Sequence, residues 1–279
     1  MVVQLSYTLA MTIQKWLLDT TSLLKNSSKT PSLDAEIILC DCLGQSRAWA
    51  LANTDFILQG ATLQRLNEMV ERRKTGEPIA YIRGFVEFYG RNFEVNHNVL
   101  VPRPESEEII DLGKKHIGPQ KKVKIADIGA GSGALGISLA LEIEDSTVDF
   151  YDIDDAPLLV ARNNASTYKV EGNFYIGDLL IDNHGPYDVV IANLPYVPDD
   201  YPINTDASHE PSLALFGGPD GLDLYRRMFD QLEASIWKPK WIITESMTFQ
   251  HDKLCSISGH SGFKLVKTSG LIQVYTPDL

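Results

Sequence analysis

Residues 192–198 read ANLPYVP, and three of them have the means to hold a flat nitrogen. Asn193 offers a side-chain carbonyl, residue 194 a main-chain carbonyl and Tyr196 an aromatic face. The nitrogen of an amide or a ring amine is planar and weakly nucleophilic because its lone pair is delocalised. Two carbonyl oxygens that accept its N–H bonds fix it in place and favour the tetrahedral geometry it takes on when a new bond forms. Tyr196 is suited to stack on the planar group. No strong base is needed, since the proton acidifies as the bond forms. Leu194 serves through its backbone, and Pro195 biases it toward extended geometry. A leucine there also brings a free N–H that needs a partner. Asn193, Leu194, Pro195 and Tyr196 are therefore the candidate catalytic residues.

A second group lies upstream. VKIADIGAGSG, residues 123–133, is an apolar strand running into a turn with glycines at 129, 131 and 133, where the backbone can approach a ligand closely. By itself the pattern fits a tight βα turn or a dinucleotide fingerprint as well as anything else. Three carboxylates narrow the choice. Asp127 stands just ahead of the glycines, where a pyrophosphate gains nothing from it but an ammonium or sulfonium does. Asp152 ends the next strand, 21 residues after Gly131, placed to accept from ribose hydroxyls. Asp178 follows the third strand, suitably placed to cap an adenine amino group. As a set they resemble the S-adenosylmethionine site of Rossmann-like methyltransferases. The cofactor-binding candidates are Asp127, Gly129, Ala130, Gly131, Ser132, Gly133, Asp152, Asp178, Leu179 and Asn193. No metal is expected: Cys40 and Cys42 lack a second pair and the six histidines are scattered.

The elements that must position these residues follow from periodicity. The first ~75 residues read as helices. The segment MVVQLSYTLAMTIQKWLL reads as a first amphipathic helix rather than a signal peptide. PSLDAEIILCDCLG predicts a helix capped by Ser32, with Leu33, Ile37, Ile38 and Leu43 on one side and Gly44 ending it. ATLQRLNEMVERRKTG puts Leu63, Leu66, Met69 and Val70 on one face, with cations in its last turn and Gly76 after it. Residues 81–101 then alternate apolar and polar, with Gly84 and Gly90, as a hairpin would. From about Val101, β and α segments alternate, and the last two strands, FKLVKTS and LIQVYTP, form an antiparallel pair. The expected fold class is α/β: a mostly parallel, Rossmann-like sheet with one antiparallel C-terminal strand, preceded by a small all-helical domain and a β-hairpin linker. The expected boundaries are 1–79, 80–100 and 101–279.

Composition bounds the partners. The chain has 279 residues, 44% hydrophobic and 22% charged, and no apolar run that approaches a membrane span of ~20 residues. Residues 1–80 hold eight cations and eight anions, whereas residues 81–279 hold 17 Lys and Arg against 29 Asp and Glu, the whole of the net −12. An acidic body repels phosphate backbones, so neither nucleic acid nor membrane is expected as a partner. Three cysteines make no disulfide framework and suit a reducing cytoplasm.

GEPIAYIRGFVEFYGRNFEVNHNVLVPRPESEEIID (76–111), LDAEIIL and HEPSLALFGGPDGLDLYRRM (209–228) closely resemble the peptide-chain release factor glutamine methyltransferases. The resemblance implies an N-terminal module that recognises a class I release factor, and methyl transfer to the glutamine of that factor's Gly-Gly-Gln loop. S-adenosylmethionine would be the donor and S-adenosylhomocysteine the product, with a monomer sufficing. It also implies that the segment 102–107 lines the methionine end of the cofactor and the glutamine entrance; Glu107 and Glu108 fit acids in the first turn of a helix equally well and are left out of the site. Three departures stand out: Leu-Pro replaces two prolines at 194–195, Glu245-Ser246-Met247 replaces Glu-His-Gly, and the C-terminal hairpin is short. The Leu-Pro pair resembles the rRNA adenine dimethyltransferases, so a nucleic-acid adenine methyltransferase is one alternative. An inactive release-factor-binding protein is another.

Overall fold

A computed structural model describes residues 10–120, 122–180 and 184–278. Residues 1–9 of the segment read as a first helix therefore lie outside the described residues. Contacts divide the chain into two compact units. One holds the residues up to Gly84 together with Asn204–His209, and the other holds Phe85–Ile203 and Glu210 onward. Among the described residues no helix is long and apolar enough to cross a membrane.

The first unit runs β1 (Ala10–Thr12), α1 (Ile13–Leu24), α2 (Pro31–Leu43), α3 (Arg47–Ala52), β2 (Ile57–Gln59), α4 (Gly60–Lys74) and α5 (Ile79–Arg83). The two short strands pair antiparallel, an addition to the all-helical expectation. Helix α2 begins at Pro31, whose fixed φ suits a first helical position, so Ser32 lies inside the helix rather than capping it. Its buried face is also shifted from the expected one. Asp34, Ala35, Ile38 and Leu39 are buried, whereas Leu33 is 46% exposed. The shift has a polar cause: Arg73, buried on α4, donates from Nε to Asp34 Oδ2 at 2.6 Å and from both Nη atoms to Asp206. Helix α4 otherwise buries Leu63, Leu66, Met69 and Val70, as the periodicity predicts.

The second unit opens with a hairpin, β3 (Phe85–Phe88) and β4 (Arg91–Glu94), then α6 (Glu107–Ile117). There follow β5 (Lys124–Ile128), α7 (Ala134–Leu141), β6 (Thr147–Asp152), α8 (Asp155–Tyr168), β7 (Gly172–Ile176), β8 (Val189–Ala192) and α9 (Asp223–Ala234). The chain closes with β9 (Trp241–Glu245), α10 (His251–His260), β10 (Phe263–Ser269) and β11 (Ile272–Pro277). Seven strands form one sheet in the order β10-β11-β9-β8-β5-β6-β7, and β11 alone runs against the rest. Side chains alternate between the faces. Ile125, Val148, Val189 and Ile243 join one core with α6, α7 and α8, while Ala126, Val190 and Ile242 join another with Tyr225, Phe229 and Leu254 of α9 and α10. The central strands are covered on both sides, which is why they read as apolar runs.

Candidate active site

Strand β5 pairs in parallel with β6 on one side and β8 on the other. After β5 the chain winds outward through β6 and β7, then returns to build β8 on the opposite flank. The loops leaving β5 and β8 thus part at a topological switch point, where open α/β sheets hold their ligands. The glycine turn and the Asn193 loop follow these two strands, and both line one cavity of about 460 Å³.

The glycine turn is held by its neighbours. Gly129 and Ala130 donate to Tyr151 O at 2.9 Å, and Gly131 donates to Asp152 Oδ2 at 3.0 Å. Gly129, Gly131 and Gly133 all have positive φ (70°, 53° and 75°), the region glycine enters without a Cβ penalty. Burial pushes the Asp152 carboxyl up, and its bond from Gly131 opposes the rise. Asp127 is only 1% exposed and accepts from Gly136 N at 2.9 Å through Oδ2, while Oδ1 has no hydrogen-bond partner among the described residues. Burial raises its pKa to about 7.

The acceptor loop is held more tightly. Asn193 Nδ2 donates to Ser106 Oγ at 3.1 Å, Ser106 Oγ to Glu245 Oε2 at 2.6 Å, and Tyr196 OH to Glu245 Oε1 at 2.8 Å. Tyr196 O accepts from Gln250 Nε2 at 2.8 Å, and Val197 N donates to Leu215 O at 2.9 Å. Burial pushes the Glu245 carboxyl above its usual range, and the bonds from Ser106 and Tyr196 oppose that.

Of the residues singled out in the sequence, residues 129–132, Asp152, Asp178, Leu179 and residues 193–195 line the cavity. Asp127, Gly133 and Tyr196 do not. Asp127 lies under the turn, on the face that carries α7, and Tyr196 turns its hydroxyl to Glu245. Asp127 is thus tied to the start of α7 through Gly136, and Tyr196 ties the acceptor loop to β9 through Glu245. Asp178 lines the wall while ion-paired to Arg227. Of residues 102–107, only Pro102, Arg103 and Ser106 reach the cavity; Glu107 instead accepts from Tyr89 N at 2.7 Å. Sequence reasoning missed Arg227, which lies on α9, far along the chain. It passed over Ser106 as one letter of a longer motif.

Residues 15–84 match the family model of the PrmC N-terminal domain, and residues 106–209 that of the methyltransferase small domain. The release factor glutamine methyltransferase of Coxiella burnetii is 34% identical over 239 residues, 85% of this chain and 86% of that one. This chain belongs to the release factor glutamine methyltransferase family. The family's Bacillus cereus member is 40% identical over 209 residues, 71% of this chain and 73% of its own. The fold is shared more widely: the T. thermophilus 16S rRNA N2 G1207 methyltransferase, solved with AdoMet and guanosine, superposes with a TM-score of 0.51 at 15% identity, over 70% of this chain and 50% of that one.

Within this family, the departure at position 194 has a structural answer. The N–H that leucine brings donates to Tyr225 OH at 3.2 Å, and the Tyr225 hydroxyl lies against Ala192 O and Glu245 O. The side chain is 2% exposed, and a Cβ added at Gly129 would meet its Cδ2 at 3.1 Å. Leu194 thus packs the acceptor loop against the glycine turn. In the family's Glu-His-Gly segment, the two residues that differ here, Ser246 and Met247, do not line the cavity.

Proposed function

We propose that this protein acts in the cytoplasm, transferring a methyl group from S-adenosylmethionine to the side-chain amide nitrogen of the glutamine in the Gly-Gly-Gln loop of a class I peptide-chain release factor. The observation that carries this reading is that residues 129–132 and 193–195 wall one cavity, which brings a cofactor turn and an amide-holding loop together. The residues fit the cofactor. The cavity is of nucleoside-ligand size, open space lies where a Gly131 Cβ would stand, and three carboxylate residues, Asp152, Asp154 and Asp178, lie on its wall. Residues 129–133 and Asp152 would hold it, with Asp178 and Leu179 toward the adenine. Asp127 would act from beneath the turn, since a cationic ligand favours its charged form.

When bound, S-adenosylmethionine supplies a methyl group on a positively charged sulfur. Asn193 Oδ1 and the carbonyl of Leu194 accept the two N–H bonds of the glutamine amide and aim its nitrogen into the cavity. Pro195 keeps that carbonyl in place, and Tyr196 anchors the loop through Glu245. The amide nitrogen would gain the methyl group as the sulfur–methyl bond breaks, its electron pair staying on the sulfur of S-adenosylhomocysteine, and would release one proton to solvent. The test is incubation with S-adenosylmethionine and the release factor, followed by tandem mass spectrometry of the Gly-Gly-Gln peptide. One added methyl on the glutamine is expected, slowed about 10²–10³-fold by Asn193→Ala. An unmodified peptide despite confirmed cofactor binding would sink the glutamine assignment.

A further inference from the structure

A side-chain amide has two nearly isosteric ends, and only one of them is useful at position 193. The carbonyl end accepts an N–H, whereas the NH₂ end would oppose it. The χ2 torsion of asparagine is broad and close to two-fold, so packing alone selects poorly between the two. The selection therefore needs a neighbour of fixed polarity.

Ser106 is that neighbour, and Glu245 is what fixes it. Ser106 lies in the short turn before α6 and is 2% exposed, so water does not compete for its hydroxyl. That hydroxyl has one proton. Glu245 Oε2 lies 2.6 Å away, and an ionised carboxylate only accepts, so the proton goes there. Ser106 Oγ is then left with lone pairs alone, and Asn193 must meet it with Nδ2, as observed at 3.1 Å; Glu245 also accepts directly from the Asn193 side chain, so both neighbours demand its NH₂ end. Glu245 reaches this position because β9 lies beside β8, with Thr244 opposite Ala192 in the register. The same carboxylate takes the Tyr196 hydroxyl on its other oxygen, so it ties both ends of the four-residue loop.

We infer that Ser106 and Glu245 are positioning residues that set the polarity of Asn193, holding its amide nitrogen so that its carbonyl faces the acceptor. This rests on the amide-methylation reading above. If Glu245 lost its charge, or Ser106 its hydroxyl, the Asn193 amide would be free to turn its NH₂ end toward the acceptor nitrogen.

The test compares Ser106→Ala, Glu245→Gln and the double variant with the wild type on the intact release factor. Each single change lowers kcat roughly 10–100-fold, with KM for the release factor and Kd for S-adenosylmethionine within about threefold. The double variant loses less than the product of the two single losses, because both residues hold the same end of one amide. A second measurement needs neither substrate nor turnover: the ¹⁵N side-chain amide signal of Asn193 in the wild type. One of its two protons exchanges slowly, and that protection falls in Ser106→Ala and disappears in the double variant. Unchanged kcat in either single variant, multiplied losses in the double, or an unprotected Asn193 amide in the wild type would each overturn the inference. A wild type that leaves the glutamine unmethylated rejects the substrate reading instead, and the amide signal still decides the polarity.

Discussion

At position 194 the residue type and its surroundings decide different things. The carbonyl that faces the acceptor belongs to the backbone and survives any substitution, whereas the N–H exists only because the residue is not proline. Tyr225 takes that N–H inside the core. Tyr225→Phe strands it and is expected to cost about 1–3 kcal/mol in denaturant unfolding. Leu194→Pro removes the donor itself, so it should cost less in the Tyr225→Phe background than in the wild type; equal costs in both backgrounds would show the bond to be idle. Asp127 gives a prediction in pH. Its carboxyl is raised by burial from 3.8 to about 7, so the folded chain holds this proton more tightly than the unfolded one. The stability it contributes is complete below 3.8, falls as pH rises toward about 7, and stays low above that. In cofactor-free protein, unfolding of wild type and Asp127→Asn at a series of pH values should show the wild type losing roughly 2–4 kcal/mol relative to the variant across this window. Parallel curves would contradict the assignment.

At the scale of elements, the acceptor loop is shaped by segments that carry no chemistry. Residues 215–221 lie along it: Gly217 N donates to Val197 O at 2.9 Å, and a Cβ at Gly221, whose φ is +76°, would be driven into Tyr196 O and Gln250 Nε2. Gly221→Ala therefore displaces the loop by strain and by collision. It is expected to lower kcat by about tenfold or more while S-adenosylmethionine affinity stays within about twofold, since the glycine turn lies on β5. Isothermal titration beside steady-state kinetics separates these effects, and equal losses in both would point to general unfolding. The strands and most helices were legible because period-two and period-3.6 patterns are local properties. The buried face of α2 was not, because its choice depends on Arg73, 39 positions beyond Asp34 in the chain.

At the scale of the molecule, the net charge of −12 falls entirely on residues 81–279, which include every residue lining the cavity. This charge balance disfavours phosphate backbones as partners of that unit, an expectation open to test. Ribosomal RNA fragments added at about 150 mM salt, well within screening by an ~8 Å Debye length, are expected to leave the methylation rate of a release factor within about twofold. Strong inhibition that weakens as salt rises would favour the nucleic-acid reading that the Leu-Pro pair first suggested.

The sequence by itself determined the α/β class, the single reversed strand near the end, the glycine turn and its flanking acids, and the Asn193 loop. Each of these is written in residues close together in the chain, as periodicity, spacing or a short motif. Only the tertiary structure decided which of those residues face the cavity. Arg103, Ser106 and Arg227 reach it beside the glycine turn and the Asn193 loop. It also decided the partners of the acceptor loop: Ser106 and Glu245 are 139 positions apart, and Leu194 and Tyr225 are 31 apart. The physical reason is that a hydrogen bond is a relation between two groups at about 3 Å, and strand order, not chain order, sets which groups come that close.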